Sequence, residues 1–456
     1  MRRVVKVSRI RIIITIIVVV LTTLLTGCTG KEPNEIAYVV ALGIDSTDDD
    51  NYKITIQYAN TTQISGGASE SGGKAGSEIV DNVTIEAPNI YAGVGLANNI
   101  VSKSFSMSHA KLIVFSKEIA EKGVKDMIET LVRSEEIRPD VFIAVANTTA
   151  NDYLTSVNPE MEVNPAQYYQ LIYQKNQLVG IPDGQLREFF TGLYTDNYDS
   201  ILPVAGVIDG SGGNSQNDDK GQSKDSQNEG SEGSSESLDS FESKSSNEKD
   251  ENEKEKDAEK NTSKYEYDIK NYIGGETTIE KKNKAEAIGA AVFEKDKMVG
   301  ELGEVETEIC KMLKGDYIYS YLTYYNNDTP DIPITVKTTQ QKKPKYKIDT
   351  DKKTIDIELY IESDLYSLPA DYNVENKIED FEREVANYTS STCTEFINNF
   401  TKKYNSDILK LNEKVKYKFL TNNQYNWLKK NVDWSEYKFS VCTDFKVRRT
   451  GLIVRE

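Results

Sequence analysis

At 456 residues the chain is long enough for roughly two to four domains. Its 55 basic and 73 acidic side chains leave a net charge of −18. That balance argues against nucleic acid as a partner, and against electrostatic adhesion to an anionic membrane. The only histidine is His109 and no C-x-x-C pair occurs, so neither a structural zinc site nor any other metal or cofactor site is expected. No Gly-rich phosphate loop and no G-x-S-x-G motif is present.

Arg2, Arg3, Lys6, Arg9 and Arg11 form a basic head, followed by an almost wholly aliphatic run from Ile12 to Leu25. This is the arrangement of an export signal, and the run falls short of the roughly 20 residues a spanning helix needs. Leu25-Thr26-Gly27-Cys28 ends it. That tetrapeptide resembles the lipobox of bacterial lipoproteins, which implies cleavage before Cys28 and acyl chains on its thiol. Residues 1–27 are then a signal peptide and 28–35 a lipidated tether. The alternatives are an uncleaved anchor helix or an ordinary secreted protein. Cleavage would leave 50 basic against 73 acidic side chains and three cysteines, Cys310, Cys393 and Cys442. An odd number excludes a full disulfide framework, although one bridge remains possible.

Ile36 to Leu42 and Lys53 to Ala59 read as strands of a hairpin, with Gly43-Ile44-Asp45 in the connection. There Asp45 would accept backbone N–H groups and fix the reversal. Asn89 to Asn99 has helical spacing. Lys111 to Phe115 is a strand, and Ser116 caps a predicted helix from Lys117 to about Arg133. Val141 to Ala146 and Ile201 to Val207 are strands, with a Tyr-rich helix over Asn164 to Lys175 between them. Strand, helix, strand argues for an α/β unit over residues 36–208. Residues 209–284 are expected to be a mostly disordered acidic insert, because Asp209 to Lys264 holds almost nothing apolar to bury.

Beyond it, Ala287 to Glu294 and Met298 to Leu302 pair around Lys295-Asp296, and Glu304 to Leu313 is a short helix. Ile332 to Thr338 and Thr354 to Ile361 are strands. Asn373 to Asn405 is the longest helical pattern, with Ile378, Phe381, Val385, Tyr388, Thr392, Phe396, Phe400 and Tyr404 on one face and a kink predicted near Thr389-Ser391. Tyr425 to Lys429 is a last short helix. Phe439 to Arg448 alternates as a terminal strand.

Several of these segments resemble the Ger(x)C lipoproteins, the C subunits of spore germinant receptors. The resemblance is carried by the lipobox at Cys28, by Glu35-Ile36-Ala37 leading to Ala41-Leu42-Gly43-Ile44-Asp45, and by Ser108-His109-Ala110-Lys111-Leu112-Ile113-Val114-Phe115. Glu118 to Gly123 and Arg133 to Pro139 continue it. Further on come Ala291-Val292-Phe293, Lys297 to Leu302, Trp427, Trp434 and Arg448-Arg449-Thr450-Gly451. The order of these pieces spans roughly 400 residues. Two features depart from the family: the long insert, and a Gly-rich turn that here reads only Asp407-Ile408-Leu409-Lys410-Leu411.

The resemblance implies an α/β fold of the α+β type: an elongated three-domain lipoprotein, each domain a mixed sheet packed with helices. The domains would be 36–208, 285–345 and 346–456. It implies a non-enzymatic subunit on the outer face of the spore inner membrane, in complex with receptor A and B membrane subunits. That complex as a whole would sense a small-molecule germinant. The alternative is a substrate-binding lipoprotein that hands a nutrient to a transporter. The candidate partner surface is Trp427, Trp434, Arg448 and Arg449; the other reading is core packing for the two tryptophans, whose helix Asn431-Val432-Asp433 would interrupt, and a solvated end for the two arginines. His109 is read as structural, and Asp48, Asp49 and Asp50 as solvated charge. Gly43, Gly300 and Gly451 are read as serving backbone geometry.

Overall fold

The computed structural model describes residues 35–49, 51–59, 80–158, 164–174, 180–195, 197–208, 271–277, 283–326, 329–367, 377–404 and 406–450, with 13–17 and residue 162. The signal cleavage site, Cys28, Asp50, Gly451 and, of the insert over 209–284, residues 209–270 and 278–282 lie outside the described residues.

Strands β1 (Ile36–Ser46) and β2 (Tyr52–Ala59) pair antiparallel, with Leu42 opposite Ile56 and Ile44 opposite Ile54. Gly43-Ile44-Asp45 is strand, not turn. Ile44 is buried, and the reversal falls at Thr47, whose N–H and hydroxyl both donate to the Asn51 carbonyl. Asp45 does accept two backbone N–H groups, but from Ala150 at 2.6 Å and Asn151 at 3.0 Å. It caps a helix far along the chain instead of fixing its own turn.

Next come β3 (Val80–Ala87), α1 (Ile90–Ala97), β4 (Ser104–Ser106) and β5 (Leu112–Ser116). The Asn89 side chain caps α1, accepting from Ala92 N–H at 2.9 Å. The helix predicted over Lys117 to Arg133 is two: α2 (Lys117–Lys122), capped by Ser116, and α3 (Lys125–Val132). Gly123, at φ +122°, breaks it, a conformation that costs glycine little. Then follow β6 (Phe142–Ala146), α4 (Ala150–Ser156), α5 (Pro165–Gln174), α6 (Leu186–Thr195) and β7 (Ile201–Val207).

β8 (Ala285–Glu294) and β9 (Lys297–Leu302) complete a nine-stranded sheet ordered β3-β2-β1-β5-β6-β7-β8-β9, with β4 paired to β1. Its centre, β1-β5-β6-β7, is parallel, and antiparallel pairs flank it on both sides. Both faces are covered, so the central strands read as continuous apolar runs. One face buries Ile90, Ile128 and Phe189 from α1, α3 and α6. The other buries Tyr153, Tyr169 and Tyr173 from α4 and α5.

The helix α7 (Glu304–Lys314) ends at Gly315, which is left-handed at φ +84°. A second sheet of five strands follows: β10 (Tyr319–Asn326), β11 (Thr329–Thr339), β12 (Lys345–Asp349), β13 (Thr354–Ser367) and β14 (Lys438–Arg449). β14 runs parallel to β13 and carries the predicted alternation, with Phe439, Val441, Thr443 and Phe445 buried. Lys345 and Lys347 belong to β12 and are exposed.

Among the described residues there are therefore two sheets, not three. Segment 285–345 has none of its own: β8 and β9 hydrogen-bond onto β7, and β10 and β11 onto β13.

Helix α8 (Ile378–Lys403) spans 26 residues without a break through Thr389-Ser391. Its buried stripe is Phe381, Val385, Thr389, Cys393, Ile397 and Phe400. This is rotated from the predicted face because Thr389 and Cys393, weakly apolar in sequence, pack inward. A core shared by the two sheets joins Ile201, Ala290 and Val292 to Ile355, Ile357, Cys393 and Phe439. Cys310, Cys393 and Cys442 are all free thiols.

Candidate functional site

A polar cluster lies where the chain leaves α8 and meets the β7–β9 side of the first sheet. Asp199, just before β7, accepts from the Lys295 N–H at 2.8 Å and from the Asp407 N–H at 2.8 Å. Its own N–H donates to the Asp407 carbonyl at 3.2 Å. One carboxylate thus ties the β8–β9 turn to the turn after α8. The Ser406 hydroxyl adds a bond to the Phe293 carbonyl at 2.8 Å.

Asp407 is itself buried and caps α9 (Leu411–Lys416), accepting from Leu411 N–H at 2.7 Å and Asn412 N–H at 2.9 Å. Burial pushes its carboxyl up to about 7, against the lowering effect of those two N–H donors. Burial raises Asp199 as well. It also pushes Lys414 down, to about 8, while the nearby Asp407 acts in the opposite direction. Desolvation wins at each group because a charge out of water loses more than a few dipoles return.

Lys410, which opens α9, stands at φ +57°. The Gly-rich turn of the family would meet this conformation without strain, and the sequence departs from it here. Helix α10 (Asn422–Asn431) closes over the junction. Its Tyr425 hydroxyl donates to Asn197 Oδ1 at 3.0 Å, and Lys429 Nζ donates to the Thr195 carbonyl at 2.8 Å.

A cavity of about 670 Å³ lies beside this cluster, lined by Tyr198, Asp199, Tyr404, Asp407, Asn412 and Trp434 among others. Asn412 Oδ1 and Trp434 Nε1 are buried and have no partner among the described residues. A second cavity of about 430 Å³ is lined by Asp183, Lys311, Lys314, Asp316 and Lys410. Its charges meet one another or the backbone: Lys314 pairs with Asp316 at 3.4 Å, and Lys311 donates to the Ile181 carbonyl at 3.1 Å.

Of the four residues named as a candidate partner surface, Trp434 is buried and the other three are exposed. Trp427 on α10 is 68% exposed. Trp434 is 8% exposed and packs against Tyr437 at 4.8 Å in the shared core, because a 3-10 turn over Trp434–Glu436 interrupts the helix as the intervening Asn431-Val432-Asp433 suggests. Arg448 is exposed on β14 and held by Glu362 and by the Tyr360 hydroxyl at 3.1 Å. Arg449, also exposed, stands opposite Asp364 in the ladder.

His109 is exposed, its ring edge-on to Tyr38 at 4.8 Å. Gly300 does not adopt a special φ. It is where the Tyr404 ring sits, 2.3 Å from any added Cβ. Gly43 likewise admits Leu154 and Ala150 at 3.0 and 3.1 Å. Asp199 carries no local signal in sequence, since its partners lie 96 and 208 residues away.

Taken together, fold and junction define an α/β protein of two mixed sheets packed with helices and joined through a common core. The chain belongs to the Ger(x)C family of spore germination proteins. The spore germination protein N-terminal domain matches residues 30–207, and the spore germination B3/GerAC-like C-terminal domain matches residues 288–451. Spore germination protein KC of Bacillus subtilis (strain 168) is 26% identical over 174 residues, 35% of this chain and 42% of that protein. A putative spore germination protein of the same organism, YfkR, is 28% identical over 145 residues, 32% of this chain and 37% of its own length. The chain therefore matches about two-fifths of the length of these relatives. The crystal structure of the GerBC protein, at 15% identity, aligns over 89% of this chain and 96% of that one with a TM-score of 0.47.

Proposed function

We propose that this chain is the C subunit of a spore germinant receptor, anchored by lipid on Cys28 to the outer face of the spore inner membrane. It works without catalysis, by assembling with or gating the A and B membrane subunits, and the complex rather than this subunit alone senses the germinant. The observation that carries the reading is the pair of family matches, in order, across 30–207 and 288–451. The junction supports it too: Asp199 and Asp407 spend their oxygens on backbone N–H groups, which is the work of a scaffold. Two or more acyl chains would hold such a body stably, since each buried methylene adds about 0.8 kcal/mol. Tethering then raises its effective concentration near its partners.

The test is deletion of the chain in spores that lack redundant receptors. Response to one nutrient set should vanish while direct chemical triggers still work; an undiminished nutrient response defeats the reading. Mass spectrometry of the purified protein should find an acylated N-terminal Cys28.

A second reading, a substrate-binding lipoprotein that passes a nutrient to a transporter, is favoured by one observation. The cavity of about 670 Å³ is of ligand size and has unpartnered Asn412 Oδ1 and Trp434 Nε1 on its wall. Calorimetry of the protein with amino acids and sugars separates the two, because tight direct binding supports only this one.

A further inference from the structure

The segment from α9 through α10 is basic and largely exposed, in a chain whose net charge is acidic. Residues 411–431 hold five lysines (Lys414, Lys416, Lys418, Lys429 and Lys430) against one acid, Glu413, in a chain of net charge −18. Three large apolar side chains project from it: Tyr417 is 93% exposed, Leu420 is 99% exposed and Trp427 is 68% exposed. Side chains that bare stand on a protruding tip, not in a groove. Lys416 and Lys430 are exposed around them, whereas Lys414 and Lys429 donate to the Leu409 and Thr195 carbonyls. The tip is not loose at its base: Val415 and Tyr425 are buried, and Lys418 Nζ donates to the Ile348 carbonyl.

We propose that the α9–α10 tip docks on the surface of an anionic lipid bilayer, with Tyr417, Leu420 and Trp427 entering the headgroup region and Lys416 and Lys430 meeting lipid phosphates. Tyr and Trp favour that interface because one end of each ring system is apolar and the other wet. Lysine reaches outward from it along its aliphatic stem. A protein groove selects shape, whereas a convex tip of aromatic, leucine and lysine side chains matches a fluid surface of opposite charge. The whole body is anionic and is repelled by such a surface, whereas this tip carries the opposite charge. The inference rests on the lipid-anchor reading in one respect. A tether of residues 28–35 reaches no more than about 28 Å, which keeps the body within range of the bilayer.

The chain's only two tryptophans make the test site-specific, since one lies on the tip and the other in the core. Full-length protein is reconstituted with vesicles of phosphatidylcholine alone or with phosphatidylglycerol, each containing brominated acyl lipid, and tryptophan emission is followed. On the anionic vesicles Trp427 should shift to the blue and be quenched, Trp427→Phe should lose the quenchable component, and high salt should weaken the effect. Lys416→Gln and Lys430→Gln should each weaken docking about fivefold. Flotation, read in parallel, reports the anchor. A chain that floats but whose Trp427 emission stays water-like on anionic vesicles overturns the docking alone. A chain that floats with neither vesicle overturns docking and anchor together. Shielding of Trp427 in spore membranes but not on vesicles assigns the tip to a protein partner or a second copy, and also overturns it.

Discussion

Asn398 and Phe439 are bonded in both directions: the Phe439 N–H donates to Asn398 Oδ1 at 3.1 Å, and Asn398 Nδ2 donates to the Phe439 carbonyl at 2.9 Å. The side chain of a helix thus takes the place of a neighbouring strand. The pattern continues along α8. Val441 N–H donates to Thr394 Oγ1 at 3.0 Å, Thr443 N–H to Ser390 Oγ at 2.8 Å and Val447 N–H to Glu382 Oε1 at 2.8 Å. These four α8 residues recur at multiples of one helical turn, so one polar stripe occupies the free side of β14, which would otherwise be an open template for another chain. Asn398→Leu should lower stability by about 2 kcal/mol, because it orphans two half-buried backbone groups. Urea unfolding gives that value, and a rise in self-association should accompany it.

Asp407 predicts a pH dependence. Its folded carboxyl, near 7, lies above the unfolded value of 3.8. The folded state then binds the proton first, so this group adds stability as pH falls from about 7 towards 4 and loses it as pH rises through 7. Lys414, lowered to about 8 from 10.5, acts in a different window: it loses stability as pH falls from 10.5 to 8 and is level below that. Urea unfolding of wild type and Asp407→Asn at pH 5 and pH 8 isolates the carboxylate. The wild type should gain on the variant at pH 5. An unchanged difference between the two pH values refutes the assignment.

What the sequence makes legible follows from burial. β7 and β14 are readable because one is buried throughout and the other alternates cleanly. β3 and β12 are edge strands whose half-exposed residues carry Asp81, Asn82, Glu86, Lys345 and Lys347, so their apolar pattern is diluted. The division of residues 285–345 between two sheets cannot be read locally at all, since it depends on which distant strands offer free edges. The junction is half legible. Asp407 stands just ahead of a helix, as a cap should, whereas Asp199 has meaning only once the β8–β9 turn and the segment after α8 are brought to it.

The turn before α9 offers a gain-of-stability test. Lys410 occupies left-handed backbone at φ +57°, which costs a side-chain-bearing residue about 1 kcal/mol relative to glycine. Its ammonium lies 3.9 Å from Glu188 and 4.2 Å from the Tyr198 ring, long contacts at a half-buried edge that offset part of this cost. Lys410→Gly should therefore raise the urea midpoint by an amount equivalent to about 0.5 kcal/mol, with no change in slope. Lys410→Ala keeps the Cβ and loses the contacts, so it should not.

The two tryptophans should part sharply when truncated. Trp434 fills the shared core beside Tyr437, so Trp434→Ala leaves a void and should cost about 3–5 kcal/mol. Trp427 stands in solvent, and its removal should change stability by less than about 0.5 kcal/mol. On the docking proposal, Trp427 acts through what it touches outside the chain. Trp427→Ala should consequently leave the unfolding curve in place while weakening attachment of the tip to anionic vesicles. A loss of stability as large as that of Trp434→Ala would instead make Trp427 part of the fold.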